Sequence, residues 1–113
     1  MFNHNMYGFS EIDTSGLLKL LEKGEEVALI DVRGEGEVAY GIIEGARHIP
    51  LHLLPLKANE IDKDIPHVFY CRSGARSAQA CAFMAAQGHG KSFNLQGGIM
   101  AWVQSGLNLA KAA

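Results

Sequence analysis

Apolar residues fall in short blocks along this chain, and the blocks alternate between helical spacing and unbroken runs. Leu17, Leu18 and Leu21 stand at i, i+1, i+4 between Asp13, suited to an N-cap, and Gly24, a stop signal, so the pattern predicts a helix over 14–23. Val27-Ala28-Leu29-Ile30 is a continuous run and predicts a buried strand. Glu35 to Tyr40 predicts one or two helical turns ending at Gly41, and Ala46 to Ile49 a short strand closed by Pro50. A second short helix is expected over Leu51 to Lys57, and Val68-Phe69-Tyr70 predicts another strand. Ser77 to Gln87 reads as a helix before Gly88, with Ala78, Cys81, Ala82 and Ala85 as a small-residue stripe for close packing. Ser92 to Leu95 predicts the next strand. After the Gly97-Gly98 turn, Ile99, Trp102 and Val103 at i, i+3, i+4 predict a last, core-facing helix ending at Gly106.

Strands alternate with helices, and the strands read as unbroken apolar runs rather than period-two patterns. This is the signature of an α/β fold with a mostly parallel central sheet and helices on both faces. With 113 residues, 48% of them hydrophobic, the chain can bury one core, so residues 1–113 are expected to form a single domain. There is no internal repeat, low-complexity tract or linker. In such folds ligands collect beyond the carboxyl ends of the strands. Two polar segments lie there: Asp31-Val32-Arg33, and Cys71-Arg72-Ser73-Gly74-Ala75-Arg76.

Charge changes the picture in one respect. The net charge of −2 divides unevenly: Met1 to Asp64 carries all twelve acidic residues against six basic ones, and the remainder carries Arg72, Arg76, Lys91 and Lys111 with no acid. Four cations over some fifty residues are too sparse for a nucleic-acid footprint, but they suit one small anion. No apolar run is long enough to span a membrane, and Met1-Phe2-Asn3-His4-Asn5 has neither a basic nor an apolar leader pattern, so a cytoplasmic protein with no membrane partner is expected. Two cysteines outside any metal-ligand spacing are then read as thiols.

The stretch Phe69 to Ala78 carries the chemistry. A cysteine directly after a strand, followed by a glycine-containing loop that leads into a helix, meets free amides and the positive end of the helix dipole. Both favour a thiolate at Cys71. Gly74 permits a positive φ where the loop curls, Ser73 and Ala75 leave room near the sulfur, and Arg72 and Arg76 can grip an oxyanion with forked hydrogen bonds. The bland reading of Cys71, a small core residue at a strand end, sits poorly beside two arginines and a glycine.

This loop resembles the CRSGxRS active-site loop of rhodanese-family sulfurtransferases. Ile30-Asp31-Val32-Arg33 resembles the family's IDVR, the segment Gly41 to Leu51 its GHIxGAxxIPL, and Gly97-Gly98-Ile99-Met100-Ala101-Trp102 its GGxxAW. The resemblance covers nearly the whole chain. It implies a rhodanese-like fold in which Cys71 takes up sulfur as a persulfide. Arg72, Ser73, Gly74, Ala75, Arg76 and Ser77 would form the substrate-binding loop, the donor would be a small anion such as thiosulfate, and the acceptor a thiol or cyanide. No cofactor or metal is implied. The chain departs from the pattern at Ile42, where His is common, at Val38, where an aromatic is common, and at His48, where Asn is common; these positions are expected to bear on packing more than on reaction.

Other readings of the same residues are open. Arg72 and Arg76 can also be solvated, or paired with Asp31 or Glu37. Asp31 and Arg33 are expected to support the site as an ion pair or loop cap rather than to touch substrate. Cys81 is expected to be an inert core thiol, the alternative being a resolving cysteine. His48 and His52 are spaced i, i+4, but Pro50 interrupts the helix a metal pair would need. A tyrosine phosphatase would need Cys-x5-Arg and a nearby acid; here the count is Cys-x4-Arg, with Ser77 in the place of the phosphatase arginine. The rival class is a rhodanese-like sulfur carrier or partner-binding regulatory module without thiosulfate turnover, against whose non-catalytic form the intact loop counts.

Overall fold

The computed structural model describes residues 5–112; the amino-terminal stretch read above for a leader falls largely outside them. The described residues form β1 (Ser10–Ile12), α1 (Thr14–Glu22), β2 (Ala28–Asp31), α2 (Glu35–Val38), β3 (Arg47–His48), α3 (Leu54–Lys57), β4 (His67–Tyr70), α4 (Ala75–Ala86), β5 (Ser92–Leu95) and α5 (Gly98–Gln104). Short 3₁₀ turns flank α3 at Leu51–Leu53 and Ala58–Glu60. The strands make one sheet in the order β1-β5-β4-β2-β3, and every pairing is parallel.

Alternation of side-chain direction along each strand explains why both faces of this sheet must be covered. In the central pair, Leu29, Val68 and Tyr70 join Ile12, Leu17, Leu95, Ile99 and Trp102 on the face covered by α1 and α5. Ile30 and Phe69 point the other way, into Leu54, Ala80, Cys81 and Met84 beneath α3 and α4. Each fully buried Val, Leu, Ile, Phe or Met among these stabilises the fold by about 1.5–3 kcal/mol. At the entry to α1, Asp13 accepts a 2.7 Å hydrogen bond from the Gly16 amide and so acts as the expected N-cap.

Two expectations need correction, and one strand is added to them. The buried stripe of α4 is Ser77, Ala80, Cys81 and Met84, with Ala78 and Ala82 at its margin, because α4 starts at Ala75 and its phase turns Ser77 inward. Leu21 and Val103 are exposed by 36% and 48%; the seams of α1 and α5 against the sheet are narrow and are filled by Leu17 and by Ile99 with Trp102. Strand β1 was not foreseen, since Ser10-Glu11-Ile12 offers no continuous apolar run; it is an edge strand held by pairing with Phe93–Leu95. Among the described residues no helix is long and apolar enough to cross a membrane.

One of the three departures from the family pattern makes a side-chain contact that can be named. At Ile42 it is the backbone, whatever the side chain, that exchanges hydrogen bonds with Ala110 at 2.9 and 2.7 Å and ties the carboxyl-terminal segment to the body. His48 Nε2 lies 2.6 Å from the Arg33 carbonyl oxygen and donates to it. Val38 is simply buried.

Candidate active site

Strands β2 and β4 are parallel neighbours in register, Asp31 opposite Tyr70, so the two polar segments singled out in the sequence emerge side by side. Cys71 leaves β4, the chain turns through Arg72, Ser73 and Gly74, and α4 begins at Ala75. Gly74 is the N-cap residue at φ +114°, a conformation that L side chains rarely adopt, and it leaves the first amides of α4 free of any side-chain cap. Those amides converge on sulfur. Cys71 Sγ accepts from the Gly74 amide at 3.1 Å, the Ser77 amide at 3.5 Å and the Ser77 hydroxyl at 3.4 Å. Cys71 is 1% exposed, whereas Arg72, Ser73 and Ala75 around it face solvent. Burial alone would push the thiol up. The Ser77 hydroxyl and the Ser77, Gly74 and Ser73 amides more than offset it, and Cys71 lies below the ordinary thiol value.

The loop is held from behind by α5. Ile99 N–H donates to the Cys71 carbonyl at 2.9 Å and Met100 N–H to the Arg72 carbonyl at 3.1 Å, so the amino end of α5 satisfies the two carbonyls on which the loop turns. The approach is close enough that only glycine fits. A Cβ on Gly98, at φ +59°, would stand 2.4 Å from the Arg72 carbonyl oxygen and 2.6 Å from that of Cys71. From the side, Asn94 at the end of β5 is 4% exposed and reaches across. Its amide NH₂ donates to the Gly74 carbonyl at 3.2 Å and to both oxygens of Glu11 at 3.2 and 3.1 Å, and its oxygen accepts from the Ser77 hydroxyl at 2.5 Å. Sequence reasoning missed Glu11, Asn94 and the supporting role of Gly98. A polar Asn near the end of an otherwise buried strand was the available signal.

The charged residues divide into three kinds. Asp31 and Arg33 form the expected ion pair, with Arg33 Nε at 3.0 Å from Oδ1 and a terminal nitrogen at 2.7 Å from Oδ2; Arg33 also donates to the Gly41 carbonyl at 2.7 Å. Both are buried and brace the loop's neighbour. Arg76 is engaged by Glu37 through a fork of 2.6 and 2.8 Å, and that hydrogen-bonded guanidinium holds the Glu37 carboxyl at about 2. Arg72 is exposed, and no acidic side chain among the described residues pairs with it. It borders a cleft of about 360 Å³ whose other walls include Tyr40, Ile99, Met100 and Leu109.

Cys81 is fully buried one turn beyond Ser77, and burial pushes its thiol up. Among the described residues no cluster of three or more His, Cys, Asp or Glu side chains could hold a metal ion.

A parallel α/β sheet that delivers a buried cysteine into an amide-lined loop flanked by arginines defines a class of cysteine-loop domain. Its family is shown by comparison. The model of the rhodanese-like domain matches residues 13–105, and the chain belongs to that family. A sulfurtransferase of Allochromatium vinosum is 49% identical over 98 residues, covering 87% of this chain and 92% of that protein. Thiosulfate sulfurtransferase GlpE of Ectopseudomonas mendocina is 32% identical over 97 residues, covering 86% and 87%. The crystal structure of a rhodanese-like domain protein from Staphylococcus aureus matches with a TM-score of 0.78 at 31% identity, over 89% of this chain and 98% of that one.

Proposed function

We propose that this chain is a sulfurtransferase in which Cys71 carries a sulfane sulfur, as a persulfide, from an anionic donor such as thiosulfate to a thiol. The observation that carries the reading is the ring of donors around Cys71 Sγ, which favours the thiolate that attacks the donor. The thiolate attacks the outer sulfur of thiosulfate. The new bond joins Sγ to that sulfur, the sulfur–sulfur bond of the donor breaks, and sulfite leaves with the electron pair. An acceptor thiolate, or cyanide in the assay tube, attacks the outer sulfur of the persulfide and returns Cys71 as thiolate. No external oxidant enters the balance. Arg72, exposed and paired with no acidic side chain among the described residues, is the cation available to the donor's sulfonate end.

The sulfurtransferases among the relatives support this reading, and so does the Cys-x4-Arg count. The test is intact-protein mass after incubation with thiosulfate. A gain of one sulfur atom, mapped to Cys71 and removed by cyanide, is expected of the wild type and of Cys81→Ala but not of Cys71→Ser. A Cys71 that takes sulfur from a protein or glutathione persulfide and not from thiosulfate would convert the reading to a dedicated carrier. Hydrolysis of an aryl phosphate without sulfur uptake would overturn it.

A further inference from the structure

The Ser77 hydroxyl has one proton and two acceptors within reach. Asn94 Oδ1 lies at 2.5 Å and Cys71 Sγ at 3.4 Å. The orientation of the Asn94 amide is not free, because its NH₂ group is placed between two groups that can only accept, the Gly74 carbonyl and the Glu11 carboxylate. Its oxygen is therefore fixed toward Ser77 and can only accept there.

We propose that Asn94, pinned by Glu11 and the Gly74 carbonyl, is a positioning residue that competes with the Cys71 sulfur for the single proton of the Ser77 hydroxyl. The proposal rests on Cys71 as the nucleophile and adds a control to that site. While Cys71 is a thiol, its own proton has the Ser77 oxygen as acceptor and the Ser77 proton stays on Asn94. When Cys71 ionises, the hydroxyl turns to the sulfur, and Oδ1 of the buried Asn94 loses the one donor it has among the described residues. Every step that forms the thiolate thus breaks one hydrogen bond, and every step that neutralises the sulfur restores it. The residue that imposes this is brought in by β5, and Glu11, which helps to orient it, by edge strand β1, 83 positions away in sequence.

The other groups around Cys71 are Arg72 in the loop, Arg76 with its partner Glu37, Cys81 on α4, the Asp31–Arg33 pair at the end of β2, and Glu11 on β1, whose loss of the Asn94 contact is common to both arms of the Ser77 comparison; α5 brings no charge. None of them is substituted in the test, which follows alkylation of Cys71 by iodoacetamide across pH. Asn94→Leu, close in shape and unable to accept, should lower the alkylation midpoint by about half to one pH unit. Below the midpoint that is a threefold to tenfold faster reaction. The shift should vanish when Ser77→Ala is also present, since a relayed effect needs the hydroxyl, whereas a change in field or packing does not. Cys81 reports folding in the same sample, because it reacts only if the core opens. If Asn94→Leu exposes Cys81, then Asn94→Val, which suits a strand and likewise cannot accept, carries the same comparison. A midpoint unmoved or raised in the folded variant, or a shift that persists beside Ser77→Ala, would overturn the proposal. Because alkylation needs no sulfur donor, its outcome is separable from the outcome of the thiosulfate mass experiment.

Discussion

Gly98→Ala tests whether α5 shapes the loop or merely covers the sheet. The new methyl group would lie 2.4 Å from the Arg72 carbonyl oxygen and 2.6 Å from the Arg72 carbonyl carbon and the Cys71 oxygen, and all three are backbone, with no rotamer to yield. Relief requires the loop and the start of α5 to part. That separation breaks the Ile99 and Met100 hydrogen bonds to the loop carbonyls, at about 1 kcal/mol each. A further 1–2 kcal/mol, roughly, comes from holding an L residue at φ +59°. The total of about 3–4 kcal/mol corresponds, for a domain of this size, to a fall in melting temperature of about 12 °C or more. Gly45→Ala is the control, since Gly45 has φ +87° but, beyond its chain neighbours, no atom of the described residues within 4 Å of the added carbon; it should lose only the conformational part, about 4–8 °C. Thermal unfolding by circular dichroism gives both values, and iodoacetamide labelling should show the Cys71 midpoint rising in Gly98→Ala alone, as the loop amides move off the sulfur. Equal melting shifts in the two variants, or an unchanged Cys71 midpoint in Gly98→Ala, would refute the idea that α5 sets the loop.

Three further outcomes follow from single contacts. Arg72→Ala should cut kcat/KM for thiosulfate by about tenfold or more, through KM, while Arg76→Ala should cost less because Glu37 already neutralises that guanidinium; steady-state kinetics showing equal losses would contradict this. Tyr70→Phe should destabilise the fold by about 1–3 kcal/mol in a urea titration, because the Ile43 amide donates to the Tyr70 oxygen at 3.0 Å and would be left buried without an acceptor; a change under 0.5 kcal/mol, roughly, would mean that water takes its place. The Glu37 carboxyl is lowered from its ordinary 4.5 to about 2, chiefly by its hydrogen bonds from Arg76. Its contribution is therefore complete above about pH 4.5 and is lost as the pH falls through about 2. The stability difference between wild type and Glu37→Gln should close over that interval, and a difference that stays constant from pH 6 down to 2, roughly, would show that the pair does not form.

Much of this protein can be read from local pattern. Continuous apolar runs at Leu29-Ile30 and Val68-Phe69-Tyr70 announce strands buried on both faces, and a parallel sheet follows from the helices between them, because such strands cannot be left open to water. Cys71, Gly74 and the helix start after them are consecutive in sequence, so the loop's demand for a small, positively twisted residue and its supply of free amides are visible without a fold. The pairing of Asp31 with Arg33, two residues apart, is legible for the same reason. What the tertiary structure alone decided is which distant groups complete the site. The partner of Arg76 is Glu37, 39 positions away. The restraint on Ser77 comes from Asn94 and Glu11 through strands β5 and β1, and the clamp on the loop carbonyls from the amino end of α5. None of these has a spacing rule, because each depends on strand order and on the phase of a helix against the sheet. The same phase turned Ser77 inward to the sulfur and left Val103 outside: a helix's buried stripe is chosen by the surface it meets, and its sequence only limits the choices.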